Sequence, residues 1–269
     1  MKRTHYFIFI STVIFIIGCR KGITQTDEKT YNEILKVDSV SVKDSLMVNN
    51  TLIASYYSSL LIFDEDISKA MLDSIYLPFS NLKTYNKEHI SRWQNTDKVS
   101  FFQNFKNQTK EYSASTQKDT FWFSKHVMKV RSYKNGFLQI NYDHIQEKGK
   151  AGVETIVNEK IFDLYHEKVL RLQDVTSIPN SRLSQLLMKN IDKIANLQKN
   201  TLSPIKNSDA IMVETIPVTD NFYFDEQGIY FHYNPFEIAG YGVGDIIIPV
   251  YWKELQGTLN NDFSKRIKI

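Results

Sequence analysis

The chain has 269 residues, 33 of them Lys or Arg against 30 Asp or Glu, a formal net charge of +3 and a single cysteine. So even a balance leaves no basic field to recruit nucleic acid, and one cysteine excludes disulfides and zinc knuckles. With 42% hydrophobic and 13% aromatic residues, the chain has ample material for a core of one large domain or two small ones.

In chain order, Met1-Lys2-Arg3-Thr4-His5 is a short basic stretch followed by mostly apolar residues from Tyr6 to Ile17. That run falls short of the roughly 20 apolar residues that span a bilayer. A basic start and a short apolar run are the marks of a secretion signal. Ile16-Ile17-Gly18-Cys19 has the form of a lipobox, in which small Gly18 admits a lipoprotein signal peptidase. The expectation is a signal peptide over 1–18, removed in the mature protein, and a lipid anchor on Cys19 that ties the mature protein to a bacterial membrane. Removal of Lys2 and Arg3 brings the balance to 31 basic against 30 acidic residues. Arg20 and Lys21 follow without an acidic cluster, which favours the periplasmic side of the outer membrane where an organism has two membranes.

Residues 19–48 are polar without sustained periodicity and read as a tether. Residues 51–63, with Leu52, Ile53, Tyr56, Tyr57, Leu60 and Phe63, read as a strand. Ile67, Ala70, Met71, Leu72 and Ile75 fall at helical spacing with Pro78 beyond them, and Trp93, Phe101, Phe102 and Phe105 mark a second helical piece. The span 49–136 is thus a partly helical N-terminal region.

Two β-rich runs, 120–133 and 137–145, flank Lys134-Asn135-Gly136, and Asn-Gly predicts a tight hairpin because both residues tolerate positive φ. Runs 153–164 and 166–172 continue the meander. Leu183, Leu186, Leu187, Ile191, Ile194 and Leu197 then share one face of a helix expected over 181–200. Phe222 and Phe224, then Ile229, Phe231 and Tyr233, alternate on either side of a turn at Gly228, and a last strand is expected over 245–251. The fold class read from this order is α+β: an antiparallel sheet over 137–257 with the amphipathic helix on one face, after a mixed helical and strand region.

The string Tyr233-Asn234-Pro235-Phe236-Glu237-Ile238-Ala239, the small-residue loop through Gly244, the Ile-Pro strand and Lys253-Glu254-Leu255 resemble the C-terminal signature of the domain of unknown function 3298 family. Leu170-Arg171-Leu172-Gln173-Asp174-Val175 is similar to the family's strand and Asp turn before its helix, so the resemblance spans about 137–255. It implies an extracellular domain like that of the lysozyme-sensing anti-sigma-V factor, with a companion domain of unknown function 4163 before it. Two departures stand out. Many members carry a Gly-Gly-Ala-His turn where this chain has Lys148 to Gly152, and the anti-sigma factors' sigma-binding segment and membrane helix have no counterpart, so a transcriptional role does not carry over.

No catalytic residue is legible. His5, His89, His126, His144, His166 and His232 form no H-x-x-x-H or H-E-x-x-H pair, so no helical metal site is written locally. Ser80 to Lys83 and Ser203 to Lys206 match S-x-x-K, but no K-T-G accompanies them. Gly240-Tyr241-Gly242-Val243-Gly244 leads into a strand, without the helix N-terminus that binds phosphate. The functional expectation is a non-catalytic envelope binding module with no cofactor and no nucleic-acid partner. Its ligand would be a lysozyme-like protein or peptidoglycan, held by Tyr233, Asn234, Pro235, Phe236 and Tyr241, where Pro and Gly interrupt the strand pattern. The alternative is a cell-wall or glycan-acting enzyme whose carboxylates only the fold assembles.

Overall fold

The computed structural model describes residues 35–49, 52–63, 67–109, 120–149, 152–197 and 206–269. The segment 1–18, expected to be a signal peptide, and Cys19 lie outside the described residues. Strand β1 (Val37–Asn49) pairs antiparallel with β2 (Leu52–Phe63). The tether assigned to 19–48 therefore becomes sheet from Val37 onward. Its apolar positions that meet the core are Val37, Val40, Val42 and Leu46, and Asp44 interrupts the alternation of the last three, so the strand looks polar in sequence.

Helices α1 (Lys69–Ile75) and α2 (Lys87–Thr109) follow. Ser68 caps α1 by accepting the Met71 N–H at 3.3 Å, and Asn86 accepts the His89 N–H at 3.0 Å at the start of α2. Met71, Ile75, Ile90, Phe101 and Phe105 are the buried stripes of the two helices. Together they form the crossover that a parallel pair requires, and β2 is indeed parallel to β3 (Thr120–Lys134). β3 turns through Asn135 (φ 56°) and Gly136 (φ 76°) into β4 (Phe137–Lys148), the hairpin that Asn-Gly predicts. The domain boundary expected at 136/137 falls inside this hairpin, so the sheet runs through it unbroken.

β5 (Val153–Asp163) and the two-residue β6 (Lys168–Val169) complete a six-stranded sheet in the order β1-β2-β3-β4-β5-β6. A single turn, α3 (Leu172–Val175), leads to α4 (Asn180–Ile191), which is shorter than the span 181–200. The chain then forms a second, three-stranded antiparallel sheet from β7 (Phe222–Phe224), β8 (Gly228–Tyr233) and β9 (Ile246–Tyr251), and ends in α5 (Asn261–Ile267). The class is α+β, but the meander and the C-terminal hairpin occupy different sheets. Leu183, Leu187 and Ile191 of α4 join Phe222, Phe231, Ile248 and Val250 in one buried cluster. Leu60, Met71, Ile75, Ile90, Leu138, Ile140 and Phe162 form another between α1, α2 and the first sheet.

One glycine in the second sheet is fixed by close approach. A Cβ on Gly228 would lie 2.4 Å from the Val250 carbonyl oxygen, which is backbone and cannot swing away. Gly228→Ala is expected to cost about 1–3 kcal/mol in urea unfolding. Gly242→Ala, where a Cβ meets nothing within 4 Å, should leave the midpoint nearly unchanged.

Candidate functional site

β6 covers only the last two residues of β5, which leaves the outward N–H and C=O groups of Val153 through Glu159 without a strand partner. Side chains that flank the strands of the second sheet take that place. Asn234 Oδ1 accepts the Val157 N–H at 2.6 Å, and Asn234 Nδ2 donates to Val157 O at 3.2 Å. Asn221 Oδ1 accepts the Glu159 N–H at 2.7 Å, while its Nδ2 donates to Val157 O and His232 O. Tyr241 donates its hydroxyl to Val153 O at 2.8 Å. One face inward, Gln139 plays the same part for Phe224, whose N–H it accepts and whose carbonyl it donates to. These amides and the phenol satisfy backbone groups that the short β6 leaves without a strand partner.

Behind the seal lies a buried ion-pair network. Glu159 is 1% exposed. It accepts from Arg131 Nε at 3.1 Å, from the guanidinium's NH2 and from Asn141 Nδ2 at 2.9 Å. His232 Nδ1 lies 3.4 Å from the same carboxylate. Burial pushes the Glu159 carboxyl up, but the His232, Arg131 and Asn141 hydrogen bonds and the Arg131 charge outweigh it, so the net shift is downward. On the other side of the ring, His232 Nε2 is 3.3 Å from Asp245 Oδ2 without the alignment of a hydrogen bond. The Arg131 guanidinium also lies 3.8 Å over the Tyr223 ring, which stacks on Tyr230.

The five residues expected to hold a ligand divide. Tyr233 is a correction: it is 1% exposed, part of the core, and its hydroxyl donates to Pro217 O. Asn234 serves the β5 edge, and Pro235 is half-buried in the turn beside it. Phe236 is 71% exposed, and its backbone is left-handed, with φ 70°. Its ring stacks on that of half-exposed Tyr241, with centroids 5.2 Å apart and planes 28° apart. The turn that carries Phe236 is locked, because the Asn234 N–H and Nδ2 both donate to the Glu237 carboxylate while the Glu237 N–H donates to Asn234 O. Sequence reasoning missed Met212. It is 75% exposed and carried alongside by its N–H to Ile238 O and by the bridge between Ile211 and Ala239. Among the described residues no group of three or more His, Cys, Asp or Glu is placed to hold a metal ion.

The family model described as "Protein of unknown function (DUF3298)" matches residues 174–253, a span that holds α4 and the whole second sheet. No curated protein matches the chain. A DUF3298 family member from Bacteroides fragilis has a similar structure, with a TM-score of 0.71 at 16% identity over 87% of this chain and 97% of that one. A DUF3298 family protein from Pseudomonas aeruginosa PAO1 gives a TM-score of 0.55 at 16% identity, over 86% of this chain and 96% of that one. The chain thus carries a DUF3298 domain at residues 174–253, within a fold that these family members share.

Proposed function

We propose that the protein is a non-catalytic binding module of the bacterial envelope, lipid-anchored through Cys19, which presents Phe236 and Tyr241 to a lysozyme-like protein or to cell-wall glycan. One observation carries this reading: Phe236 combines an exposed ring with a left-handed backbone. For a residue with a Cβ that conformation costs about 1–2 kcal/mol. Such strain persists where surrounding structure holds it, and it concentrates at ligand clamps. Here the Asn234–Glu237 hydrogen bonds supply the hold. A rigid, outward aromatic is the kind of side chain in which interfaces concentrate their energy. The Tyr241 hydroxyl, bound to Val153 O, fixes the second ring, so the stacked pair meets a ligand already ordered.

A glycan-acting enzyme would draw on Glu237, whose carboxylate is already taken up by Asn234 in the turn, or on Glu159 and Asp245, which flank His232. Glu159 is enclosed and held ionised by Arg131, which weighs against that role.

Phe236→Gly separates binding from stability. Glycine accepts the left-handed backbone without strain, so the melting temperature should stay level or rise. Affinity for peptidoglycan or lysozyme, measured by co-sedimentation and pull-down, should fall by about 2 kcal/mol or more. A Phe236→Gly protein with wild-type affinity would remove the aromatic pair as the docking site, and a wild-type protein that holds neither ligand would remove both partners.

A further inference from the structure

His126 on β3 and His144 on β4 are 18 residues apart in sequence but face each other directly in the strand register, on the sheet face that carries α1 and α2. Their Nδ1 atoms are 3.0 Å apart. The ring centroids are 4.5 Å apart with planes inclined by 42°, and without metal the contact is an N–H···N hydrogen bond. Two nitrogens each about 2.0–2.1 Å from one zinc ion are about 3.3 Å apart at a tetrahedral angle and about 2.9 Å apart at a right angle. The observed spacing falls in that interval.

The surroundings fit the same reading. His126 Nε2 is 3.3 Å from Ser124 Oγ and 3.5 Å from Asp97 Oδ2, and Asp97 is itself fixed by the Tyr56 hydroxyl at 2.8 Å. A carboxylate behind the far nitrogen keeps the proton there and leaves Nδ1 as a lone pair, the arrangement that supports metal-binding histidines. Burial, and after it the neighbouring His144, hold the His126 pKa down to about 4 against the pull of Asp97. His144 is likewise lowered, first by burial, so at neutral pH both rings are uncharged. Asp97, Glu154 and Asp143 carry negative charge toward the pair, against Lys148 and the Lys125 that pairs with Asp143. Beside the rings opens a cavity of about 290 Å³ lined by Pro78, Phe79, Tyr142, Asp143 and Asn158, with space for further ligands.

We infer that His126 and His144 form a two-histidine site for a divalent transition-metal ion of the zinc and copper class, completed by water or an exogenous ligand in the adjoining cavity. Imidazole nitrogen suits these ions, and Cu²⁺ should bind more tightly than Zn²⁺. Without metal, His144 donates Nδ1–H to His126. On binding, that proton moves to His144 Nε2, both rings remain neutral, and no net proton is released.

The test is titration of the full chain with Cu²⁺ and separately with Zn²⁺ at neutral pH. One saturable equivalent is expected, with the nitrogen hyperfine pattern of two imidazoles in the Cu²⁺ spin-resonance spectrum. His126→Asn or His144→Gln should weaken binding at least tenfold and remove one nitrogen, whereas His89→Gln, in the first turn of α2 and outside the cavity lining, should change nothing. Asp97→Asn should weaken binding about 10–100-fold with both nitrogens retained, as for a positioning residue. Should a histidine variant fail to fold, the wild-type chain still decides: Zn²⁺ should shift the imidazole proton resonances of His126 and His144 and raise the melting temperature. No saturable binding by the wild-type chain, undiminished binding in both histidine variants, or metal shifts confined to other histidines would each overturn the assignment.

Discussion

Leu187→Asp is expected to abolish the cooperative melting transition or lower it sharply, with soluble yield falling alongside. Leu187 is fully buried on α4, within the cluster that Leu183, Ile191, Ile248 and Val250 share. Truncating a buried leucine alone costs about 2–5 kcal/mol. An aspartate there adds an acid that must either remain charged without a partner or take up a proton. Against a total stability of about 5–15 kcal/mol, the sum reaches the scale of the whole fold. Gln185→Asp, exposed on the same helix, should stay within about 0.5 kcal/mol of wild type. Equal melting temperatures for the two variants would mean that α4 does not pack on β9.

Arg131→Ala should cost about 3–5 kcal/mol, because it leaves the buried Glu159 carboxylate without its main counter-charge. The sign of the pH effect identifies the cause. In the wild-type protein the Glu159 pKa is lowered, so its contribution is present above the unfolded-state value and is lost as pH falls through the folded one. Without Arg131, burial dominates and the carboxyl is pushed up instead. The deficit in melting temperature should therefore be larger near about pH 7 than near about pH 5, where protonation relieves the unpaired charge. A second substitution, Glu159→Gln, should recover most of the loss at the higher pH. A deficit that is constant with pH, or no recovery in the double variant, would show that Arg131 acts through its contact with Tyr223 rather than through charge.

What the sequence disclosed follows from where local chemistry is specific. The β3–β4 hairpin was legible because only a few residue pairs accept two consecutive positive φ values, and α4 because its buried leucines repeat at helical spacing. β1 was not legible, since an edge strand with one inward face and Asp44 in that face carries almost no periodic signal. The division into two sheets depends on long-range pairing, on which alternation is silent. At the candidate site, the Pro and Gly interruption located the loop, but it could not separate Phe236 from Tyr233 and Asn234. Nothing in a phenylalanine announces a left-handed backbone, and nothing in an asparagine announces that its amide stands in for a strand. The pairing of His126 with His144 appears only once the β3–β4 register is known, because helical spacing is the wrong ruler for a cross-strand pair.

The two flanks of the large sheet are shielded by different chemistry. On β1, Asp38 and Asp44 accept the N–H groups of Ser39 and Ser45, and Lys98 holds the Asp44 pKa down through its hydrogen bond. Acid strong enough to protonate carboxylates, or salt that screens them, strips that shield and leaves a strand able to template another chain. The amides of Asn221 and Asn234 and the Tyr241 phenol neither lose charge in acid nor respond to ionic strength. Intermolecular strand pairing under such stress is therefore directed to β1, and the flank beside the Phe236 loop keeps its shape.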